Sequence, residues 1–255
     1  MKQIKTYGLC YLLGASAAFC LKLYYSQADA DALLWILAPT VGWVRVLSGI
    51  SFGYLPGIGY VNHDLRFVVA PACAGVQFLI IAILMLTFSF THRMGNTKRG
   101  LVWTLYAAAA SYLYTIVVNG IRITLAICLP GLLQQAGVVM GQGMQARFHT
   151  IIGVTVYFVS LLLWFQGADR ASQKLVVWLR LKQRINKTMR RNFSPLFWYL
   201  FIVLGVPFLN RAWMDNQRGF AEYACVILGV CLAVVGISWC INKAAESVRK
   251  KGSLP

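Results

Sequence analysis

Cys73, Arg122 and His149 supply the side-chain types that acyl transfer through a thioester requires. The Cys73 thiol is the nucleophile of such a reaction, and a helix amino terminus beside it would favour its thiolate. His149 can accept a proton near neutral pH and return it to a leaving amine. Arg122 keeps its charge and can hold a substrate carbonyl or a developing oxyanion. The small residues from Pro71 to Gly75 would let a peptide backbone approach the sulfur.

Each of these residues also has an ordinary structural interpretation. A cysteine beside an apolar run usually packs as a small hydrophobe, and a histidine at a span boundary is commonly interfacial. Arg122 ends an apolar run, where a charge is costly unless it reaches water or a partner. Asn119 lies on the same helix face, where it either satisfies Arg122 or contacts a substrate. Arg147 is either an ordinary loop base or a second candidate substrate-binding residue.

The composition indicates a membrane protein. The chain has 255 residues, of which 59% are hydrophobic and 12% are charged, and its mean hydropathy is +0.65. Soluble domains carry about 25% charged residues, so a soluble globular enzyme is disfavoured. The formal charge of +17 comes from 24 basic and 7 acidic residues. Most bases lie in short stretches between long apolar runs, which is typical of membrane loops and not of a nucleic-acid-binding surface.

The apolar runs predict an all-α polytopic membrane protein that forms one integral membrane domain over residues 1–255. Each of six runs approaches the ~17–25 residues that a helix needs to cross a bilayer, although the fifth is short. A seventh apolar stretch, 32–50, contains Pro39 and Arg45 and is a span, a re-entrant piece or an interfacial helix. Met1–Tyr25 also has the features of a cleavable signal peptide. The six predicted spans are Tyr7–Tyr25, Cys73–Phe90, Leu101–Ile121, Thr150–Gln166, Leu196–Asn210 and Tyr223–Ile241.

Four basic clusters predict the orientation of the chain in the membrane. They precede the first run, separate the second from the third, follow the fourth and follow the sixth. All four lie in the cytoplasm if the six runs span and 32–50 does not cross, which makes both termini cytoplasmic. Residues 170–192 mix apolar side chains with eight bases. This stretch is predicted to be a basic cytoplasmic amphipathic segment on the anionic lipids of the inner leaflet.

The three reactive residues are predicted to lie at one depth in the membrane. Each is 20 or 21 residues from the cytoplasmic end of its apolar run, measured from Arg93, Leu101 and Arg170 respectively. At the α-helical rise of about 1.5 Å per residue, this separation is close to the hydrocarbon thickness. The three residues are therefore expected at the outer ends of successive spans, where they can converge.

Several other chemistries leave no signature in the sequence. There is no glycine-rich phosphate loop, HExxH, GxSxG, carboxylate pair or internal repeat, and the seven cysteines contain no CxxC pair. We therefore predict no metal, cofactor or disulfide framework. Residues 26–72 are predicted to be an outer segment that partly re-enters the membrane, with turns at Gly53–Gly59 and a short strand or extended piece at Leu65–Ala70 that leads to Cys73.

Three short motifs resemble those of the exosortase/archaeosortase family. The sequence PACAGV at Pro71–Val76, followed by an apolar span, is similar to the cysteine motif of that family. The sequence NGIRI at Asn119–Ile123 is similar to its arginine motif, and His149 matches its histidine in order and position. The resemblance covers a core of about residues 60–165 and is strongest to the K-type exosortases. Ala74 departs from the pattern, because many relatives carry serine at that position.

The resemblance implies a membrane-embedded cysteine protease or transpeptidase. Such an enzyme cleaves exported proteins at a carboxy-terminal sorting signal, which consists of a short motif, a transmembrane helix and a basic tail. Cys73 would be the nucleophile, His149 the general acid/base and Arg122 the carbonyl or oxyanion partner, at the outer, periplasmic face. Two alternatives remain. One is a non-enzymatic transporter, channel or assembly scaffold, and the other is a thiol-dependent acyltransferase that carries a lipid acyl group on Cys73.

Overall fold

A computed structural model describes residues 2–137, 141–179, 193–211, 213–214 and 216–251. The architecture is all-α, with one small sheet between the second and third helices. The helices are α1 (Lys2–Gln27), α2 (Leu34–Ser48), α3 (Val76–Phe90), α4 (Thr97–Gln135), α5 (Gln142–Trp178), α6 (Phe193–Leu200), α7 (Val206–Leu209) and α8 (Gln217–Lys251). Short 3₁₀ turns at Pro71–Cys73 and Thr91–Arg93 flank α3, and a π-helical turn at Phe201–Gly205 joins α6 to α7.

Five helices of the described chain are long and apolar enough to cross a membrane. Their spanning segments are Thr6–Gln27, Pro71–Arg93, Thr97–Gln135, Arg147–Trp178 and Gln217–Cys240. The predicted fifth span, Leu196–Asn210, corresponds to the shorter apolar stretch Phe193–Leu209, and the 32–50 stretch to the 15-residue helix α2. By helix length and hydropathy the chain is a multi-pass membrane protein, as the sequence predicts.

Helix α3 is the centre of the bundle. Its spanning segment is 78% buried by the rest of the protein, whereas the other four segments are 11–33% buried. An uninterrupted apolar sequence from Phe78 to Leu86 explains this position, because a helix that is hydrophobic all round has no face that prefers water. Helices α1, α4, α5 and α6 pack around it.

The helices that carry Arg122 and His149 are longer than the sequence analysis predicts. Helix α4 continues past Arg122 to Gln135, and α5 begins at Gln142, seven residues before His149. The prediction that Arg122 lies at the outer end of its span is therefore wrong, whereas His149 lies two residues from the beginning of the spanning segment Arg147–Trp178. The apolar sequence ITLAICLPGLL after Arg122 extends the helix, and Pro130 is accommodated within it. Cys73 and His149 are each the third residue of a spanning segment, Pro71–Arg93 and Arg147–Trp178, whereas Arg122 lies inside its segment.

A three-stranded antiparallel sheet leads the chain into the Cys73 turn. Strand β2 (Gly59–Asn62) pairs with both β1 (Gly53–Leu55) and β3 (Phe67–Val69). The strand predicted at Leu65–Ala70 is confirmed as β3, whereas the predicted turns at Gly53–Gly59 form part of a β-hairpin. Gly59 has φ +122°, and a Cβ there would lie 2.5 Å from the Val69 carbonyl oxygen. Glycine is therefore required where β2 meets β3.

At the end of the bundle opposite Cys73, an ion pair connects the end of α3 to α5. Arg93 donates to Asp169 at 2.6 Å and to the Ser172 hydroxyl at 2.9 Å, which ties the end of α3 to α5. The predicted basic segment 170–192 begins within α5, and its residues 180–192 lie outside the described part of the chain.

Candidate active site

Cys73 ends a single 3₁₀ turn immediately before α3. Pro71 occupies the first position of this turn, where its missing N–H costs no hydrogen bond. The Cys73 amide donates to the Ala70 carbonyl at 2.8 Å, and the Ala74 amide donates to the Pro71 carbonyl at 3.0 Å. The cysteine is half-buried and has a free thiol. The turn thus presents the sulfur beside the amino terminus of α3.

Gly75 lets the chain turn from the 3₁₀ segment into α3. Its φ is +75°, a left-handed conformation that side chains disfavour. A Cβ at this position would also lie 3.0 Å from the side-chain carbon Cγ of Asn119. Glycine at this position therefore permits both the left-handed backbone conformation and the close approach of Asn119 on α4.

Asn119 joins the cysteine turn to the arginine. It is fully buried, and its Nδ2 donates to the Cys73 carbonyl oxygen at 2.6 Å. Its Oδ1 accepts from the Arg122 guanidinium at 3.2 Å and from the Tyr157 hydroxyl at 2.8 Å. One amide group therefore fixes the positions of residues from three different segments.

Arg122 is a buried cation, with 9% of its surface exposed. Its guanidinium donates to the Tyr157 hydroxyl at 3.0 Å and lies 5.3 Å from the centre of that ring. Gly153 lies against it, and a Cβ there would be in ordinary van der Waals contact with Nε at 3.6 Å. In the described part of the chain Arg122 forms no ion pair with a carboxylate.

Tyr157 is a member of this network that the sequence analysis missed. Its ring stacks on Phe78 of α3 with centroids 5.1 Å apart, which holds the hydroxyl between Asn119 and Arg122. The available signal was periodicity, because His149, Gly153 and Tyr157 recur every four residues and so share one face of α5.

The network opens into a cavity of about 220 Å³ between α3, α4 and α5. Arg122 and His149 both line it, together with Ala72 and Gly75, which flank the cysteine. His149 is half-buried there and lies within electrostatic range of Arg122. The structure thus brings the cysteine turn, the arginine and the histidine to one cavity. Four tyrosines also line the cavity: Tyr25, Tyr157, Tyr199 and Tyr223.

The described lining of the cavity carries positive charge without a carboxylate to balance it. Arg122 is the single Lys or Arg among the described residues that line it, and the same lining contains no Asp or Glu. Burial in a poorly solvated site strengthens the interaction of such a cation with any negative charge. The cavity is therefore suited to an anion or to a group that becomes anionic during a reaction.

Arg147 lies apart from this network. It pairs with Glu222 at the start of α8 at 3.3 Å, and both side chains are largely exposed. It does not line the cavity. Asn119, the other candidate substrate-binding residue, contacts Cys73 and Arg122 from within the protein.

Among the described residues, no group of His, Cys, Asp or Glu side chains is arranged to hold a metal ion. Comparisons with protein-family models, curated proteins and solved structures find no match to this chain. The resemblance to exosortases accordingly rests on the short motifs around Cys73, Arg122 and His149 alone.

Proposed function

We propose that this protein is a membrane-embedded cysteine protease or transpeptidase of the exosortase type, acting on exported proteins through a thioester on Cys73. The observation that carries the proposal is the buried Arg122, which Asn119 links to the Cys73 turn and which lines a cavity without a carboxylate among its described lining residues. A thiolate, or the oxyanion formed when it attacks a carbonyl, would supply the missing negative charge.

The first half of the reaction forms the thioester. The Cys73 thiol gives its proton to the His149 imidazole, and the sulfur attacks the carbonyl carbon of the scissile peptide bond. An S–C bond forms, and the carbonyl electron pair becomes an oxyanion that the Arg122 guanidinium stabilises. The oxyanion then collapses, the C–N bond breaks, and the imidazolium returns the proton to the leaving amine.

The second half releases the product. Water or an acceptor amine gives a proton to His149 and attacks the thioester carbonyl, and collapse of the second tetrahedral intermediate restores the thiol. The role of Asn119 and Tyr157 is to position Arg122 and the cysteine turn, because their hydrogen bonds reach both. Neither needs to exchange a proton with the substrate.

The substrate is a protein with a carboxy-terminal sorting signal, whose cleavable motif lies just outside its transmembrane helix. In the proposed orientation both termini face the cytoplasm of a bacterial cell and the cavity faces the periplasm. The bases of residues 170–192 are then expected to lie against anionic lipids of the inner leaflet.

Processing of a coexpressed substrate tests the proposal. Cys73→Ala should abolish cleavage, whereas Cys128→Ala, which changes an exposed cysteine of α4, should leave it intact. Equal loss in both variants would point to general damage, and normal cleavage with Cys73→Ala would contradict the proposal. A transporter predicts the opposite pattern, in which Cys73 is dispensable and Arg122 is needed for solute flux.

A further inference from the structure

A second, larger cavity lies beside the candidate active site. It is a groove of about 820 Å³ between α1, α3 and the α6–α7 segment, with mostly apolar walls. Phe19 and Phe201 on its rim are exposed, so the groove opens to the surroundings of the bundle. Tyr25 and Gln77 line both the groove and the active-site cavity. The two cavities are therefore neighbours that share a wall.

The groove extends about half-way through a membrane. On α1 its lining runs from Ser26 to Ala15, and on α3 from Gln77 to Phe88. Eleven residues of helix correspond to ~16 Å, compared with ~30 Å for the hydrocarbon of a bilayer. Its length therefore matches one leaflet.

An aromatic cluster closes the inner end of the groove. Phe88 stacks on Tyr11 with ring centroids 5.0 Å apart and contacts Trp198 at 5.2 Å. These rings join α1, α3 and α6 at the depth where the groove ends. A transmembrane helix, which needs the full hydrocarbon thickness, would run into this floor, whereas an acyl chain of one leaflet would end above it.

The outer end of the groove is polar and positively charged. Lys22 lines it with its ammonium group 5.7 Å from the centre of the Tyr25 ring, and Ser26, Gln77 and Asn210 supply neutral polar groups. No Asp or Glu is among the described lining residues, and Lys22 makes no ion pair with a described carboxylate. An apolar groove with a cation at its mouth is complementary to an anionic amphiphile.

From this combination of length, floor and charge we infer that the groove binds a phospholipid of the leaflet on the active-site side. One acyl chain lies between α1, α3 and α6–α7, and the phosphodiester pairs with Lys22. The lipid headgroup then lies next to Tyr25 and Gln77, at the entrance to the active-site cavity. The inference is independent of the reaction proposed for Cys73, because it requires only non-covalent binding.

Photocrosslinking of the full chain tests this site. The protein is placed in nanodiscs that contain phosphatidylglycerol with a diazirine on one acyl chain, and crosslinked residues are mapped by mass spectrometry. We expect adducts on groove residues such as Phe19, Ile80 and Ile202. Adducts distributed over the exposed apolar surface without enrichment in the groove would overturn the inference.

Matched variants make the test specific. Ala15→Trp fills the groove and should remove these adducts, whereas Ala17→Trp, at an exposed position outside the groove lining, should retain them. Lys22→Gln should reduce them about fivefold, the effect of one surface cation on an anionic lipid, and Lys174→Gln should not. Gel filtration confirms that each variant folds. Equal labelling of the two tryptophan variants, or displacement of the lipid by an apolar transmembrane peptide, would contradict the lipid site.

Discussion

The side-chain amide of Asn119 donates to the backbone carbonyl of Cys73 at 2.6 Å, across 46 positions of the sequence. Through its other atom, Oδ1, the same amide accepts from Arg122. The buried Asn119 side chain therefore sets the distance between Cys73 and Arg122. Asn119 itself belongs neither to the 3₁₀ turn of Cys73 nor to the lining of the cavity. Most of the following predictions test parts of this connection.

Replacement of Asn119 should impair both stability and processing. Asn119→Ala leaves a buried carbonyl and two donors without partners, which costs about 1–3 kcal/mol for each unsatisfied group. Thr115→Ala is the control, because Thr115 is buried one turn earlier on α4 but its hydroxyl bonds only to the helix backbone at Ser111. Thermal unfolding and substrate cleavage should be measured for both. If Asn119→Ala and Thr115→Ala cleave the substrate at similar rates, Asn119 has no positioning role in the reaction.

Gly75→Ala should reduce cleavage more than its effect on stability explains. Gly75 and Gly49 have φ of +75° and +72°, so alanine at either position costs about 1–2 kcal/mol of backbone strain. A Cβ at Gly75 would also lie 3.0 Å from Asn119 Cγ, so that Asn119 must shift by a few tenths of an ångström, whereas one at Gly49 meets nothing within 4 Å. Cleavage rates of the two variants, compared at equal amounts of folded protein, separate strain from displacement of Asn119. Equal rates would show that the Gly75 contact is not needed.

Tyr157→Phe should lower the cleavage rate about tenfold and should also lower stability, by about 1.5–3 kcal/mol. It removes a hydroxyl that bonds to Asn119 and Arg122 but keeps the ring stacked on Phe78, and one hydrogen bond to a charged group is worth about 1.5–3 kcal/mol. Tyr114→Phe is the matched control, since its hydroxyl bonds to the Ser160 carbonyl outside the cavity. A larger effect of the control variant would count against a positioning role for Tyr157.

Arg122→Met should abolish cleavage without destabilising the protein. A buried cation that has no carboxylate partner carries a desolvation penalty, so an apolar residue of similar volume is expected to give an equal or higher melting temperature. Arg122→Lys should also be inactive, because an ammonium cannot reproduce the planar contacts to Asn119 and Tyr157. Unfolding of Arg122→Met would show that Arg122 is primarily structural.

Arg147 and His149 should behave differently although they are two residues apart. Arg147→Ala removes an exposed ion pair with Glu222 worth about 0.2–1 kcal/mol and should leave cleavage within about twofold of wild type. His149→Ala should abolish cleavage with little effect on folding, since the side chain lines the cavity and is half-buried. A severe defect in Arg147→Ala would restore its assignment as a substrate-binding residue.

The sequence predicts the class of fold well because hydropathy over about 20 residues is a strong signal. It predicts the individual helix ends less well: α4 and α5 continue beyond the hydrocarbon limits assumed for them, so Arg122 lies inside a helix and not at its end. The proximity of Cys73, Arg122 and Asn119 could be inferred from helix geometry and spacing. The contribution of Tyr157 could not, because it depends on which face of α5 meets α3, and four-residue periodicity alone does not distinguish a polar contact from ordinary packing. The groove beside α1 likewise depends on how three separate segments pack.

Trapping the acyl-enzyme on Cys73 is the most direct test of the central proposal. Wild-type and His149→Ala proteins are coexpressed with an exported protein that carries a carboxy-terminal helix and basic tail, and hydroxylamine-sensitive adducts are mapped. We predict a peptidyl thioester on Cys73 in the wild-type protein that depends on Arg122. A lipid thioester at the same sulfur would favour an acyltransferase instead. If no adduct forms and Cys73→Ala processes the substrate normally, the proposed cysteine chemistry is contradicted.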